Sequence, residues 1–141
     1  MQFEGIQGEV TGKYSGWIEL NSCQLGAPKH NTNPSASPRI ADVVVAKDQD
    51  STSIGLFKAS LSGLGTKVTI AFVKAAGAPY LTLELENAII AGYSVRGAGH
   101  DSLQKPEEYL TLDFSKITYK TTAGAADTDA AKEKARWQII R

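Results

Sequence analysis

Between Tyr80 and Glu86 the chain alternates without a break, with Leu81, Leu83 and Leu85 on one parity and Thr82, Glu84 and Glu86 on the other. Successive side chains leave a strand on opposite faces, so this pattern describes a strand with one buried face. The same alternation places Val68, Ile70 and Phe72 opposite Thr69 and Ala71, and Leu110, Leu112 and Phe114 opposite Tyr109, Thr111 and Asp113. Phe3 to Val10, Trp17 to Leu25 and Ile40 to Lys47 are β-branched or aromatic runs bounded by Gly and Pro clusters. Arg136 to Arg141 adds a short run around Trp137 and Ile139. Seven or more strands with few helices predict a β-sandwich or barrel.

Two strands change parity midway. Apolar residues hold even positions up to Phe114 and odd ones at Ile117 and Tyr119, which predicts a bulge or bend near Ser115-Lys116. Within Leu81 to Val95 the alternation loosens at Asn87-Ala88-Ile89-Ile90, where both faces become apolar and a covering neighbour is expected. One segment breaks the strand pattern. Ile54, Phe57 and Leu61 recur at helical spacing, with Ser53 as N-cap and Gly63 as the left-handed residue beyond the end, predicting one helix over about 53–62. Two stretches read as irregular. The segment 26–38 carries Pro28, Pro34 and Pro38 and cannot pair regularly, and Ala123 to Ala135 is an Ala-rich, charged linker or surface helix.

The 141 residues fit a single domain spanning 1–141, large enough to bury a core without disulfides or metals. Fifteen basic and fifteen acidic residues cancel, with no block of one sign, so nucleic-acid binding has no electrostatic support and association between copies is mildly favoured. Cys23, the single cysteine, excludes an internal disulfide and a multi-cysteine zinc site. No stretch is long and apolar enough for a membrane span, and the start Met1-Gln2-Phe3-Glu4-Gly5 has no signal-peptide pattern, so synthesis in the cytoplasm and any exit without a cleaved signal peptide are expected.

Groups for catalysis are few. His30 and His100 lie in Gly- or Pro-rich loops outside any closely spaced ligand pair, and His100-Asp101-Ser102 are chain neighbours that do not readily face one another as a triad does. Asp48-Gln49-Asp50-Ser51 lacks the Gly and terminal Glu of a calcium loop and is explained by capping of the following helix. Cys23, beside Leu20 and Leu25 and without a basic neighbour, reads as an inert thiol. Gly97-Ala98-Gly99-His100 precedes no helical pattern and reads as a turn. No enzyme activity, catalytic residue, metal or cofactor is expected.

The order of these segments carries a resemblance. Asp42-Val43-Val44-Val45, the helix from Ser53 to Ala59 with Gly63, Tyr80 to Ala88, Gly92-Tyr93-Ser94-Val95, and Pro106 to Ile117 followed by Tyr119 together resemble the Hcp (haemolysin-coregulated protein) family, the inner-tube subunit of type VI secretion systems. Each piece is a generic strand sequence, and the specificity lies in their order around one helix. The resemblance implies a mainly β fold, a small β-barrel of two packed antiparallel sheets with one short flanking α-helix, assembling into a hexameric ring. Rings of this family stack into a tube that a contractile sheath expels together with spike proteins at its tip, and the bore carries effector proteins. The implied location is the bacterial cytoplasm during assembly and the exterior after secretion, without membrane insertion. Two other readings fit the same residues: the tail-tube protein of a phage or another contractile injection particle, and a monomeric β-barrel module for a small ligand or carbohydrate.

Three groups of residues are candidates for function under that resemblance. Asn21, Ser22 and Gln24 offer small polar side chains for a bore wall in contact with cargo. Ile89 and Ile90, adjacent and so on opposite faces of one strand, point to a subunit interface. The 26–38 loop, longer than any hairpin needs, offers Pro28, His30, Asn31, Asn33 and Pro34 for contact with the next ring.

Overall fold

A computed structural model describes residues 1–26, 40–75, 77–97, 99 and 103–121, together with the backbone of 136–140. Among the described residues eight strands and one α-helix follow in the order β1 (Gln2–Phe3), β2 (Ser22–Leu25), β3 (Val43–Asp48), α1 (Ser53–Ser62), β4 (Thr66–Val73), β5 (Pro79–Arg96), β6 (Glu107–Asp113), β7 (Lys116–Thr121) and β8 (Arg136–Ile140). A short 3₁₀ turn at Gly12–Tyr14 lies between β1 and β2. The strands Phe3 to Val10 and Trp17 to Leu25 expected from the sequence are therefore much shorter. Glycines at 5, 12 and 16 take positive φ and turn the chain back on itself, so Gly8 and Val10 pair with Gly16 and Trp17 outside the main sheet.

All strand pairs are antiparallel, and they form one sheet in the order β1-β4-β5-β6-β3-β2, with β7 also on β5 and β8 on β7. The expected barrel of two separate sheets is corrected here, because the sheet is continuous and not closed. No pairing joins β2 to β1 or β8 among the described residues. The end strands β1 and β2 have two and four residues and offer little backbone for a closing ladder.

The 18-residue β5 connects the two halves of the sheet. Its first part, through Leu81–Glu86, lies between β4 and β7, and its second, Ile89–Arg96, pairs with β6. Asn87 stands at the junction with φ 52°, a left-handed conformation that Asn tolerates better than most residues. The inward parity changes there, from Leu83 and Leu85 to Ala88 and Ile90, which explains the loosened alternation read from the sequence. The matching break on the partner side falls at Phe114-Ser115, where Ser115 donates from its amide and its hydroxyl to the Glu86 carbonyl at 3.0 and 3.1 Å. Strand β6 thus passes into β7 along one side of β5, one residue before the bend expected from the sequence.

Because β5 bends, the inner faces of both halves meet in one core. Val43, Val45, Leu110 and Leu112 from one half join Val68, Ile70, Leu83 and Leu85 from the other, with Met1, Phe3, Ile18 and Phe114 closing the ends. The helix runs over the predicted span and ends at Gly63 in the left-handed conformation, but Thr52, and not Ser53, is the N-cap. Only Leu56 among its large apolar residues enters the core; Ile54, Phe57 and Leu61 face outward.

Candidate functional site

The sheet half formed by β2, β3, β6 and the end of β5 carries polar chemistry on both faces, for two different reasons. On the outer face, alternation leaves Ser22 and Gln24 exposed while Cys23 and Leu25 pack against the core. The register places Ser22 beside Ala46, Tyr109 and Ser94 in one row, and Gln24 beside Val44, Thr111 and Gly92 in the next. Adjacent strands lie about 4.8 Å apart, so four strands span roughly 14 Å of surface, on which Val44 and the covered Ala46 sit among polar side chains and Gly92. Gly92 keeps this surface flat, since a Cβ there would stand 3.3 Å from the Thr111 hydroxyl.

A third row bounds this surface with charge. Asp48, Glu107 and Arg96 are paired across β3, β6 and β5. Tyr109 donates to Glu107 at 2.6 Å, and this hydrogen bond to a carboxylate raises the phenol above its ordinary range. Asn21 precedes β2 and donates to Asp48 at 2.7 Å and to Glu107 at 3.4 Å. Of the three bore residues expected from the sequence, Ser22 and Gln24 share the open surface, while the Asn21 amide is engaged by the acidic rim. Tyr109, Thr111 and Ser94 complete the surface. Alternation in β6 already set Tyr109 and Thr111 opposite the leucines, but their adjacency to Ser22 depends on a pairing that joins residues far apart in sequence.

Beneath this surface, facing the core, is a buried ionic cluster that sequence reasoning did not find. Lys47 on β3 and Glu108 on β6 are directly opposed. The Lys47 ammonium donates to Glu108 Oε2 at 2.8 Å, to Asp50 Oδ1 at 2.9 Å and to the Asp48 carbonyl at 2.6 Å. Glu108 also accepts from Ser53 Oγ at 2.9 Å and from the Tyr93 hydroxyl, and burial together with that carboxylate pushes the Tyr93 phenol far above its ordinary value. Asp50 accepts from the Thr52 amide and hydroxyl at 2.8 and 2.5 Å. Ser53, Thr52 and Asp50 belong to the entry of α1, so the cluster fastens the start of the helix to the sheet. Every donor of the ammonium is used, which is the condition for burying a charge at tolerable cost.

The remaining candidates fall in different places. Ile90 is buried in the core and Ile89 is half-buried on the opposite side, so of the pair only Ile89 retains surface for a neighbour. Ile89 lines an open depression with Gly63, Gly65, Asn87, Asp113 and Ser115. Cys23 is a free, half-buried thiol that burial pushes up to about 11. Pro28, His30, Asn31, Asn33 and Pro34, like His100, lie outside the described residues. Among the described residues no group of three His, Cys, Asp or Glu side chains is placed to hold a metal ion, and no helix is long and apolar enough to cross a membrane.

A continuous, bent antiparallel sheet with one flanking helix and a polar outer face describes a mainly β domain whose chemistry lies in its surfaces. The chain belongs to the Hcp family of type VI secretion tube proteins: residues 1–120 match the model described as "Type VI secretion system effector, Hcp". Solved structures with the same fold include a type VI secretion system effector from Yersinia pestis, at TM-score 0.75 and 18% identity over 99% of this chain and 95% of that one. Hcp1 from Salmonella typhimurium superposes at TM-score 0.74 with 23% identity, covering 85% and 83%. Hcp1 from the Escherichia coli EAEC 042 pathovar, carrying two tryptophan substitutions, gives 0.71 with 21% identity over 96% and 87%. No curated protein matches the sequence.

Proposed function

We propose that this chain is a ring-forming subunit of the type VI secretion tube. Six copies close into a ring, rings stack, a contractile sheath drives the stack outward behind a spike, and effector proteins travel in the bore. The observation that carries this reading is the family match over residues 1–120 combined with a shared fold across nearly the whole chain. The open sheet supports it as well. A lone β-barrel ligand module would close its own edges, whereas an open sheet leaves edge strands for a neighbour to cover.

In this reading the β2-β3-β6 surface faces the bore. A wall that passes many different proteins needs weak, undirected contacts, and Ser22, Gln24, Thr111 and Ser94 supply hydrogen-bonding groups with little bulk and no charge. Ring-to-ring contact falls to Pro28, His30, Asn31, Asn33 and Pro34 in the 26–38 loop, and Ile89 faces a neighbouring subunit. Light scattering and electron microscopy of the purified protein test the reading together. Hollow rings of one defined mass are expected, and a single-subunit mass at every concentration overturns it. Shortening 26–38 to a two-residue turn is expected to keep rings and abolish stacking; stacked tubes from that variant remove the loop from the ring contact.

A further inference from the structure

The helix α1 turns its apolar stripe away from its own core. Ile54, Phe57 and Leu61 lie at spacings of three and four residues on one helix face, and Leu64 follows beyond the left-handed Gly63 that ends the helix. They are 70%, 50%, 73% and 78% exposed. The roll of the helix is fixed from the other side. Leu56 is fully buried, Ser53 is bonded to Glu108 at 2.9 Å, and a Cβ at Gly55 would already touch Ile6 at 3.5 Å. The Phe57 ring packs at a tilt against Tyr93, with centroids 5.5 Å apart. Turning the stripe inward would break all of these contacts, so it is built to meet something outside the subunit.

The area of the stripe indicates the size of the partner. Four large side chains exposed to this degree present on the order of 400–500 Å² of apolar surface, near the top of what a monomer leaves open in one patch. A standard interface takes about 800 Å² from each partner, and its fully buried centre is about 65% apolar. The stripe is therefore the size of the apolar centre of one stable protein interface.

A second exposed apolar patch lies at the opposite end of β5. Val73 and Tyr80, 44% and 46% exposed, sit where β4 meets β5, with Phe72 packed beside Tyr80 at 6.2 Å between ring centroids. Tyr80 and Tyr93, which lies under α1, are separated by 13 residues of β5, roughly 40 Å of extended strand before the bend shortens it. Two unlike apolar patches at opposite ends of one chain do not make a self-complementary dimer. If they meet between copies, the contact is head-to-tail, and such a contact repeats until a ring closes.

We infer that the α1 stripe of one subunit seats on the Val73–Tyr80 patch of the next copy of this chain. This assignment rests on the ring reading and names the surfaces that form it. The Lys47–Glu108 cluster then has a further consequence, because by holding Ser53 it fixes the roll of α1 and so the direction in which the stripe faces.

The test uses the full chain in three forms: wild type, Leu61→Glu, and Tyr80→Glu, with circular dichroism to establish folding and light scattering to read mass. Each substituted position is substantially exposed, so both variants are expected to fold, and their mass is expected to fall from that of the ring to that of one subunit. A Cys23→Ser background carrying Leu61→Cys and Tyr80→Cys is expected to give an oxidised ladder of several subunits, while either cysteine alone gives no product beyond a dimer. Wild-type rings with variants that keep ring mass overturn the contact and leave the ring reading standing. Single-subunit variants whose cysteine pair never bridges overturn the pairing with Val73–Tyr80. A wild-type protein of single-subunit mass at every concentration overturns the ring reading and the contact with it.

Discussion

Lys47 and Glu108 face each other across β3 and β6 with Nζ 2.8 Å from Oε2, and their side chains are 0% and 2% exposed. An ion pair removed from water this fully holds together through its additional hydrogen bonds, here from Ser53 and Tyr93 to Glu108 and from Lys47 to Asp50 and the Asp48 carbonyl. Removing one partner leaves the other charged, buried and unpaired. Lys47→Met alone is expected to lose about 3–5 kcal/mol of stability in urea unfolding. Lys47→Met with Glu108→Gln is expected to recover a clear part of that loss. A double variant no more stable than the single one would show that the loss comes from packing and not from an orphaned charge.

The same cluster sets a dependence on acid. Burial alone would raise the Asp50 carboxyl, but hydrogen bonds from Thr52 and from Lys47 outweigh it and hold the group below the usual carboxylate range. A carboxyl lowered by folding binds fewer protons in the folded than in the unfolded chain, so its contribution is complete above about pH 4, where the unfolded group titrates. It is lost as pH falls through the lower folded value. Urea midpoints measured between neutral pH and pH 3 are expected to fall less steeply below about pH 4 in Asp50→Asn than in the wild type. Equal slopes would remove Asp50 from the acid response.

Much of this fold is legible in the sequence because its strands each bury one face. The leucines of β5 and β6, the helix over 53–62 and the left-handed Gly63 are all where period and C-terminal capping chemistry place them, while the N-cap falls one residue earlier, at Thr52. What the pattern does not carry is pairing and direction. A run of leucines does not say that β5 bends at Asn87 and serves two halves of one open sheet. An apolar stripe on a helix has the same period whether it faces its own core or a neighbouring subunit, so the outward face of α1 is not distinguishable from an inward one by spacing. Lys47 and Glu108, 61 residues apart, each read as an ordinary strand charge until register brings them together. Ser22 and Gln24 were visible as the polar parity of a short strand, whereas the surface they belong to needed three strands to assemble.

Burial at two leucines, Leu56 on α1 and Leu103 in the connection between β5 and β6, predicts opposite outcomes for similar side chains. Leu56 is fully buried, and Leu56→Ala is expected to cost about 2–5 kcal/mol. Leu103, which is fully exposed, is expected to change stability by no more than about 0.5 kcal/mol when replaced by alanine. Chemical denaturation of both variants reads the difference, and a Leu56→Ala variant as stable as the wild type would place the core elsewhere.

The junction in β5 offers a backbone test. Asn87 holds φ 52°, a region that costs most side chains of order 1 kcal/mol and glycine none. Asn87→Gly is therefore expected to stay within about 0.5 kcal/mol of the wild type, whereas Asn87→Val is expected to lose at least about 1 kcal/mol, because a β-branched residue resists the left-handed region. Thermal melts of the two variants, compared at equal concentration, separate them. If valine is tolerated as well as glycine, the bend does not depend on this conformation.

The outer surface can be tested separately from the fold that carries it. Ser22 is exposed on a short edge strand, its row shared with Ala46, Tyr109 and Ser94, and nothing in its position ties its side chain to the core. Ser22→Arg is thus expected to move stability by no more than about 0.5 kcal/mol and to leave the mass of the assembly unchanged. In a bore, however, the same substitution repeats on every subunit around the ring, adding a circle of long cations where the wild type has small hydroxyls, and cargo that fitted the wall meets bulk and charge. Export of effector proteins from cells carrying this variant is expected to fall sharply while the tube protein itself is still secreted. Comparing secreted effector with secreted tube protein makes the distinction, since a defect in tube assembly lowers both. Unchanged effector export with intact tubes would show that this surface is not the wall that cargo meets.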